Sequence, residues 1–217
     1  VKALIFDMDG VIVDSNPTHR EAWERFNLRY GLETTEAMHQ RMYGKHNGDI
    51  VRDYFGPDLP AEEVVARGAA KEAVYRELAG RRIEEMLVPG IREFLEFYRD
   101  IPKGVGSNAE PANVELILER AGLRHYFEAV VDGQQVRNPK PHPEVFLRVA
   151  DMLGVAPVDC VVFEDSPTGV QAGVAAGMKV IGLGTTFENL PGTSITVDNF
   201  RSGHLRRWLD SLIAAGD

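Results

Sequence analysis

Short apolar runs alternate with helix-patterned segments along most of this chain, and that alternation constrains its fold more than any other feature. The runs are ALIF at 3–6, KGVGS at 103–107, EAVV at 128–131, CVVF at 160–163 and KVIGL at 179–183, each bounded by turn formers. Between them stand PANVELILERAG and HPEVFLRVADMLG, which place apolar residues at i, i+3, i+4 and i+7 and a glycine after the last turn. Strands separated by helices pair in parallel, because each helix carries the chain back to the starting edge of the sheet. The expectation is an α/β fold with five strands in a parallel sheet.

One region breaks the alternation. From Ser15 to about Leu87 the sequence reads as helix after helix: PTHREAWERFNLRYG opens with Pro17 and closes at Gly31, and AEEVVARGAAKEAVYRELAG runs almost without interruption. An all-helical block between the first two strands is expected to form a second, smaller domain, with chain crossings near Asp14 to Asn16 and near Met86 to Gly90. The expected division is residues 1–14 and 88–217 for the α/β core and 15–87 for the inserted helical domain.

Composition narrows the partners. The chain has 24 basic and 33 acidic residues, a net charge of -9, which disfavours nucleic acid and anionic membranes, whose affinities rest on clustered Lys and Arg. A small anionic substrate stays compatible if positive charge is local. The one cysteine, Cys160 in CVVF, reads as a small buried hydrophobe and excludes an internal disulfide, which suits a reducing cytoplasm. No run approaches the ~18 apolar residues that would span a membrane, and no signal-like segment is present, so a soluble, unprocessed monomer is expected.

The ends of the apolar runs hold the chemistry. In an open parallel sheet, ligands bind beyond the carboxyl ends of the strands. Asp7 and Asp9 follow ALIF, Ser107 and Asn108 follow KGVG, and Glu164 and Asp165 follow CVVF. Each alone reads as a turn or cap residue, but their recurrence at equivalent places is a stronger signal. Carboxylates beside a hydroxyl suit a hard cation such as Mg²⁺, which takes oxygen ligands. A calcium-binding EF-hand does not fit, because Gly10 stands fourth from Asp7 where that loop needs glycine sixth and glutamate twelfth. Neither the dinucleotide-binding nor the P-loop glycine pattern occurs. Lys140 in NPKPHPE, flanked by Pro139 and Pro141, is the candidate countercharge for a phosphate among these acids.

Together, DMDGV at 7–11, Ser107, Lys140 and EDSPTGVQAG at 164–173 resemble, in order, the four signature motifs of the haloacid dehalogenase superfamily. The helical insertion after the first motif is similar to the cap of its first subclass, so the resemblance spans the chain. Asp9, two residues after Asp7, resembles the phosphatase and phosphomutase branch; dehalogenases lack that second acid. The resemblance implies a Rossmann-like doubly wound core with an inserted helical cap, and phosphoryl transfer through an aspartyl-phosphate. It implies Asp7 as nucleophile and Asp9 as general acid and then base. It further implies Mg²⁺ held by Asp7, Asp9 (through its backbone carbonyl), Glu164 and Asp165, with Ser107, Asn108 and Lys140 on the transferring phosphoryl group. Gly10 is expected to turn the chain sharply so that no side chain obstructs the cap, while Ser166 and Pro167 read as a helix N-cap and first position.

In the cap, His19 and Lys71 occupy positions similar to substrate-binding residues of β-phosphoglucomutase-like members. Asn47 stands where the mutases have an arginine for a distal phosphate, with Lys45 and His46 nearby. The expected activity is a Mg²⁺-dependent phosphatase acting on a small phosphate monoester such as a sugar phosphate. A phosphoglucomutase-like activity is the nearest alternative, and a metal- or phosphate-binding module without turnover a further one.

Overall fold

In a computed structural model of the chain, residues 1–42 and 47–214 are described. They form two compact units, Val1–Asp14 with Ile83–Asp217, and Ser15–Arg82.

The first unit contains a six-stranded, all-parallel sheet of β1 (Ala3–Phe6), β2 (Lys103–Gly106), β3 (Ala129–Val131), β4 (Cys160–Glu164), β5 (Lys179–Leu183) and β6 (Ile195–Val197), in the order β3-β2-β1-β4-β5-β6. This is the doubly wound α/β order, in which the strand sequence runs outward from β1 to one edge and then restarts with β4 toward the other, so the order reverses between β1 and β4 while every strand keeps the same direction. Five strands match the apolar runs. The sixth, β6, was not expected: it is three residues long, and its Ile195-Thr196-Val197 sits between Pro191-Gly192 and Asp198, too short to stand out as a run. It is stabilised as an edge strand by parallel pairing with β5.

β1 is buried along its whole length, which is why its sequence is apolar without alternation. Ala3 and Ile5 face a core shared with Val145, Phe146 and Val149, whereas Phe6 meets Phe94, Phe127, Phe163 and Phe200 on the opposite side. The Phe6 and Phe163 rings stack with centroids 4.6 Å apart because the two residues are paired in register across β1 and β4. That register decides the position of whatever follows them.

The helices are α1 (Asn16–Leu28), α2 (Glu36–Met42), α3 (Asn47–Phe55), α4 (Ala61–Met86), α5 (Ile91–Phe97), α6 (Pro111–Arg120), α7 (Glu144–Leu153), α8 (Pro167–Ala175) and α9 (Gly203–Ala214). α7 ends as its sequence dictates, on Gly154 in the left-handed region at φ 66°. The second unit is all-helical, and its core is built on Trp23, Phe26, Ile50, Val51 and Val64. The division between units falls at Arg82, where α4 leaves helical geometry (φ -126°, ψ 15°). On the α/β side, Asp14 N donates to Met86 O (2.7 Å) and Val88 N to Ile12 O (3.0 Å), so the outgoing and returning chains are tied together. No helix among the described residues is long and apolar enough to cross a membrane.

Candidate active site

Asp7 is the first residue beyond β1, and its N–H donates to Phe163 O at 3.0 Å, continuing the ladder. Because Phe6 is paired with Phe163, the residues that follow each, Asp7 and Glu164, emerge side by side at the carboxyl edge of the sheet. Lys140, from the loop between β3 and α7, bridges them: its Nζ lies 2.7 Å from Asp7 Oδ1 and 2.8 Å from Glu164 Oε1. The ammonium also lies 4.7 Å from the centre of the Phe146 ring. Ser107 is buried at the end of β2, its Oγ accepting from Ala109 N at 3.1 Å, and Asn108 Oδ1 accepts from Lys140 N at 3.3 Å. The strand ends at β1, β2 and β4 and the Lys140 loop are thus brought together.

Glu164 is fully buried and held from every side. Besides Lys140 on Oε1, its Oε2 accepts from Asp165 N (2.8 Å), Ser166 N (2.9 Å) and Ser166 Oγ (3.0 Å). Ser166 Oγ in turn accepts from Gly169 N at 3.1 Å, capping α8 as its sequence predicts. Asp165 accepts a short hydrogen bond from Thr186 Oγ1.

Asp7, Glu164 and Asp165 each offer one oxygen within 4.8 Å of the others, and all three residues are buried. The Asp9 carboxylate is not one of this group. Burial, opposed by Lys140 and reinforced by Glu164 and Asp9, pushes the Asp7 carboxyl up to about 7. Burial and the neighbouring Glu164 and Asp7 likewise raise Asp165. Burial works against the Lys140 ammonium, yet the facing Asp7 and Glu164 carboxylates more than offset it and hold the amine above its ordinary range. Three buried carboxylates facing one ammonium leave an excess of negative charge, and converging hard oxygens are the donor set of a divalent cation. The residues fit such an ion.

Gly10 makes the sharp turn expected of it, and the space around its Cα supplies a further constraint. Its φ is +74°, and a Cβ there would overlap the Asp165 carboxylate. The contribution of β5 was also missed. Thr185 Oγ1 donates to Gly10 O and Thr186 Oγ1 to Asp165, so the loop after β5 braces both the β1 loop and the β4 carboxylate. Their signal in the sequence is that Thr185 and Thr186 follow the apolar run KVIGL, as Asp7 follows ALIF and Ser107 follows KGVG.

In the helical unit, three of the residues singled out from sequence meet. Lys71 Nζ lies 2.8 Å from His19 Nδ1 and 2.8 Å from Glu72 Oε1, and Asn47 Nδ2 donates to the same Glu72 oxygen at 2.5 Å. His19 stacks on Tyr75 at 3.9 Å, and Lys71 packs over the rings of Trp23 and Tyr75. Lys71 is only 1% exposed, not the solvated helix lysine its spacing alone would suggest. Glu72 carried no signal in the sequence, being one acid among many on α4. Lys45 and His46 lie outside the described residues. Cys160 is buried with Sγ 3.5 Å from Ala156 O, and burial pushes its thiol up to about 11, as suits an inert core residue.

Residues 1–177 match the model of the haloacid dehalogenase-like hydrolase family. The fructose-1-phosphate phosphatase YqaB of Escherichia coli is 36% identical over 178 residues, covering 82% of this chain and 94% of that one. The β-phosphoglucomutase of Bacillus subtilis is 31% identical over 192 residues, covering 85% and 84%. The crystal structure of β-phosphoglucomutase from Clostridium difficile superposes with a TM-score of 0.85 at 26% identity, covering 99% of this chain and 98% of that one. With its doubly wound sheet, helical insertion and acidic strand ends, the chain belongs to the haloacid dehalogenase-like hydrolases.

Proposed function

We propose that the protein is a Mg²⁺-dependent phosphatase that hydrolyses a small phosphate monoester, a sugar phosphate or related metabolite, through a phosphorylated Asp7. The observation that carries this reading is the Asp7–Lys140–Glu164 bridge at the carboxyl edge of the sheet: a nucleophile-grade carboxylate held in one orientation by a buried ammonium. Similarity to a fructose-1-phosphate phosphatase supports the substrate class.

Asp7 attacks phosphorus and is released again by water, which divides one hard displacement into two easier ones. Asp9 protonates the departing alkoxide and then deprotonates the incoming water. Ser107 and the Asn108 amide donate to the phosphoryl oxygens, and Lys140 balances their charge while holding Asp7 in place. Asp7, Asp165 and the Asp9 backbone carbonyl would hold Mg²⁺, with Glu164 supporting the set through its bonds to the 164–166 loop. The ion supplies charge neutralisation, so that an anionic carboxylate can approach an anionic phosphate.

The helical unit bears on the choice between water and a sugar hydroxyl as acceptor. A mutase must retain a second phosphate, and a bidentate arginine is the best clamp for one. Here Asn47 occupies that position, and both Asn47 and Lys71 are engaged by Glu72, which sets a negative charge beside the lysine. Hydrolysis is therefore favoured over transfer. His19, Lys71, Asn47 and Lys45 are the candidate phosphate- or substrate-binding residues of the helical insertion.

The test is release of inorganic phosphate from p-nitrophenyl phosphate and a sugar-phosphate panel that includes fructose 1-phosphate, with and without Mg²⁺. No Mg²⁺-dependent release from any of them refutes the reading. β-Glucose 1-phosphate with glucose 1,6-bisphosphate should give mainly phosphate; efficient formation of glucose 6-phosphate would establish the mutase instead. A cytoplasmic monomer is the setting that best suits a chain with one buried thiol and a small-molecule substrate.

A further inference from the structure

We propose that Glu144 is a positioning residue for Lys140: it holds the loop that delivers the ammonium to the strand ends. Its Oε1 accepts from Arg137 N at 2.8 Å, and its Oε2 accepts from Asn138 N at 3.1 Å and from Asn138 Nδ2 at 2.9 Å. One carboxylate thus collects three donors from two consecutive residues that lie just ahead of Lys140. Hydrogen bonds to a charged acceptor are the stronger kind, and in agreement these donors, Arg137 N first, hold the Glu144 carboxyl below its usual range.

The placement explains why the tether matters. Arg137, Asn138 and Pro139 are exposed, and Lys140 is the one residue of that stretch that is buried. A surface loop of this kind has little packing of its own to hold it. Glu144 stands in the first turn of α7, whose Val145, Phe146 and Val149 are completely buried in the core. The carboxylate therefore fastens one end of the loop to the helix that continues from its other end, so residues 137–144 close on a rigid support. Flanking prolines restrict the local backbone, but they cannot by themselves fix where the segment sits relative to the sheet. The upstream end is held separately by Asp132, which accepts from Gln134 N at 2.9 Å and Gln135 Nε2 at 2.7 Å.

The inference rests on the reading of Lys140 as the group that orients Asp7, and its test separates the two. With p-nitrophenyl phosphate and Mg²⁺, Glu144→Ala should lower kcat about tenfold while KM and the half-saturating Mg²⁺ concentration stay within about twofold, since neither Asp165 nor Ser107 is on this loop. Glu144→Gln, whose amide oxygen still accepts, and Asn138→Ala, which removes one donor, should fall between Glu144→Ala and the wild type. A merely structural role would lower the unfolding midpoint without ordering kcat by the number of loop bonds retained. The readout independent of turnover is the Lys140 ammonium signal in a ¹H–¹⁵N NMR spectrum, assigned by its loss in Lys140→Met: it should broaden in Glu144→Ala and stay sharp in Glu144→Gln. An unchanged kcat or an unchanged ammonium signal in Glu144→Ala, or a Glu144→Gln variant as impaired as Glu144→Ala, overturns the inference. Absence of Mg²⁺-dependent turnover in the wild type refutes the phosphatase reading, and the NMR comparison still decides whether Glu144 places Lys140.

Discussion

Gly169→Ala sets two physical effects against each other at one atom. Gly169 lies in α8, where alanine is favoured over glycine by about 0.8–1.0 kcal/mol, so propensity alone makes the substitution stabilising. The added Cβ, however, would overlap the Glu164 carboxylate, far inside the ~3.5 Å at which non-bonded heavy atoms settle. A flexible side chain could step aside. Glu164 cannot do so freely, because it is fully buried and takes bonds from Lys140, Asp165 and Ser166 at 2.8 to 3.0 Å. Overpacking a tight site costs about 1–3 kcal/mol. Loss of one hydrogen bond to a buried charge adds about 1.5–3 kcal/mol. After the propensity gain, the net expectation is a destabilisation of about 2–5 kcal/mol. For a chain of this size that lowers Tm by at least about 4 °C, read by circular dichroism. Because Lys140 loses part of its anchorage, specific activity toward p-nitrophenyl phosphate should fall as well. A Gly169→Ala protein with an equal or higher Tm and full activity would show that Glu164 is not locked as described.

Asp7→Asn should abolish turnover with an unchanged circular dichroism spectrum, whereas Asp9→Asn, given a substrate with a good leaving group, should leave labelled phosphate on the protein; failure to trap it counts against Asp9 as the base for the second step. Thr186→Val removes the hydroxyl that donates to Asp165, and calorimetric titration should show Mg²⁺ binding weakened about tenfold or more; unchanged affinity would leave the β5 loop no part in the site. The His19 imidazole is depressed to about 3 by burial, assisted by the Lys71 ammonium, while the unfolded chain titrates near 6.5. Between those values the unfolded state binds the extra proton, so the contribution of His19 is complete above about pH 6.5 and is lost as pH falls toward 3. Urea unfolding at pH 7 and pH 5 should show a larger loss for the wild type than for His19→Asn; equal losses refute the assignment.

The sequence by itself determined the architecture and the inventory of reactive groups. Periodicity distinguishes strand from helix locally, so ALIF, KGVG and CVVF could be read as buried strands, and the residues just past them, Asp7, Ser107, Glu164 and Asp165, as occupants of one edge. The sequence could not order the strands, and it lost β6, because three residues carry no period that stands out from a loop. Only the tertiary structure decided which acids meet. The register that pairs Phe6 with Phe163 sets Asp7 beside Glu164, and a loop arriving from beyond β3 brings Lys140 between them. Glu72, Thr186 and Glu144 were illegible for the same reason: each acts through a partner distant in sequence or through a loop conformation, and a lone acid or threonine has no local pattern that reveals its partner. Gly10 and Gly169 show the limit most clearly. Their positions could be read from the sequence, but the reason neither tolerates a side chain is a carboxylate that folding brings against each: Asp165 at Gly10 and Glu164 at Gly169.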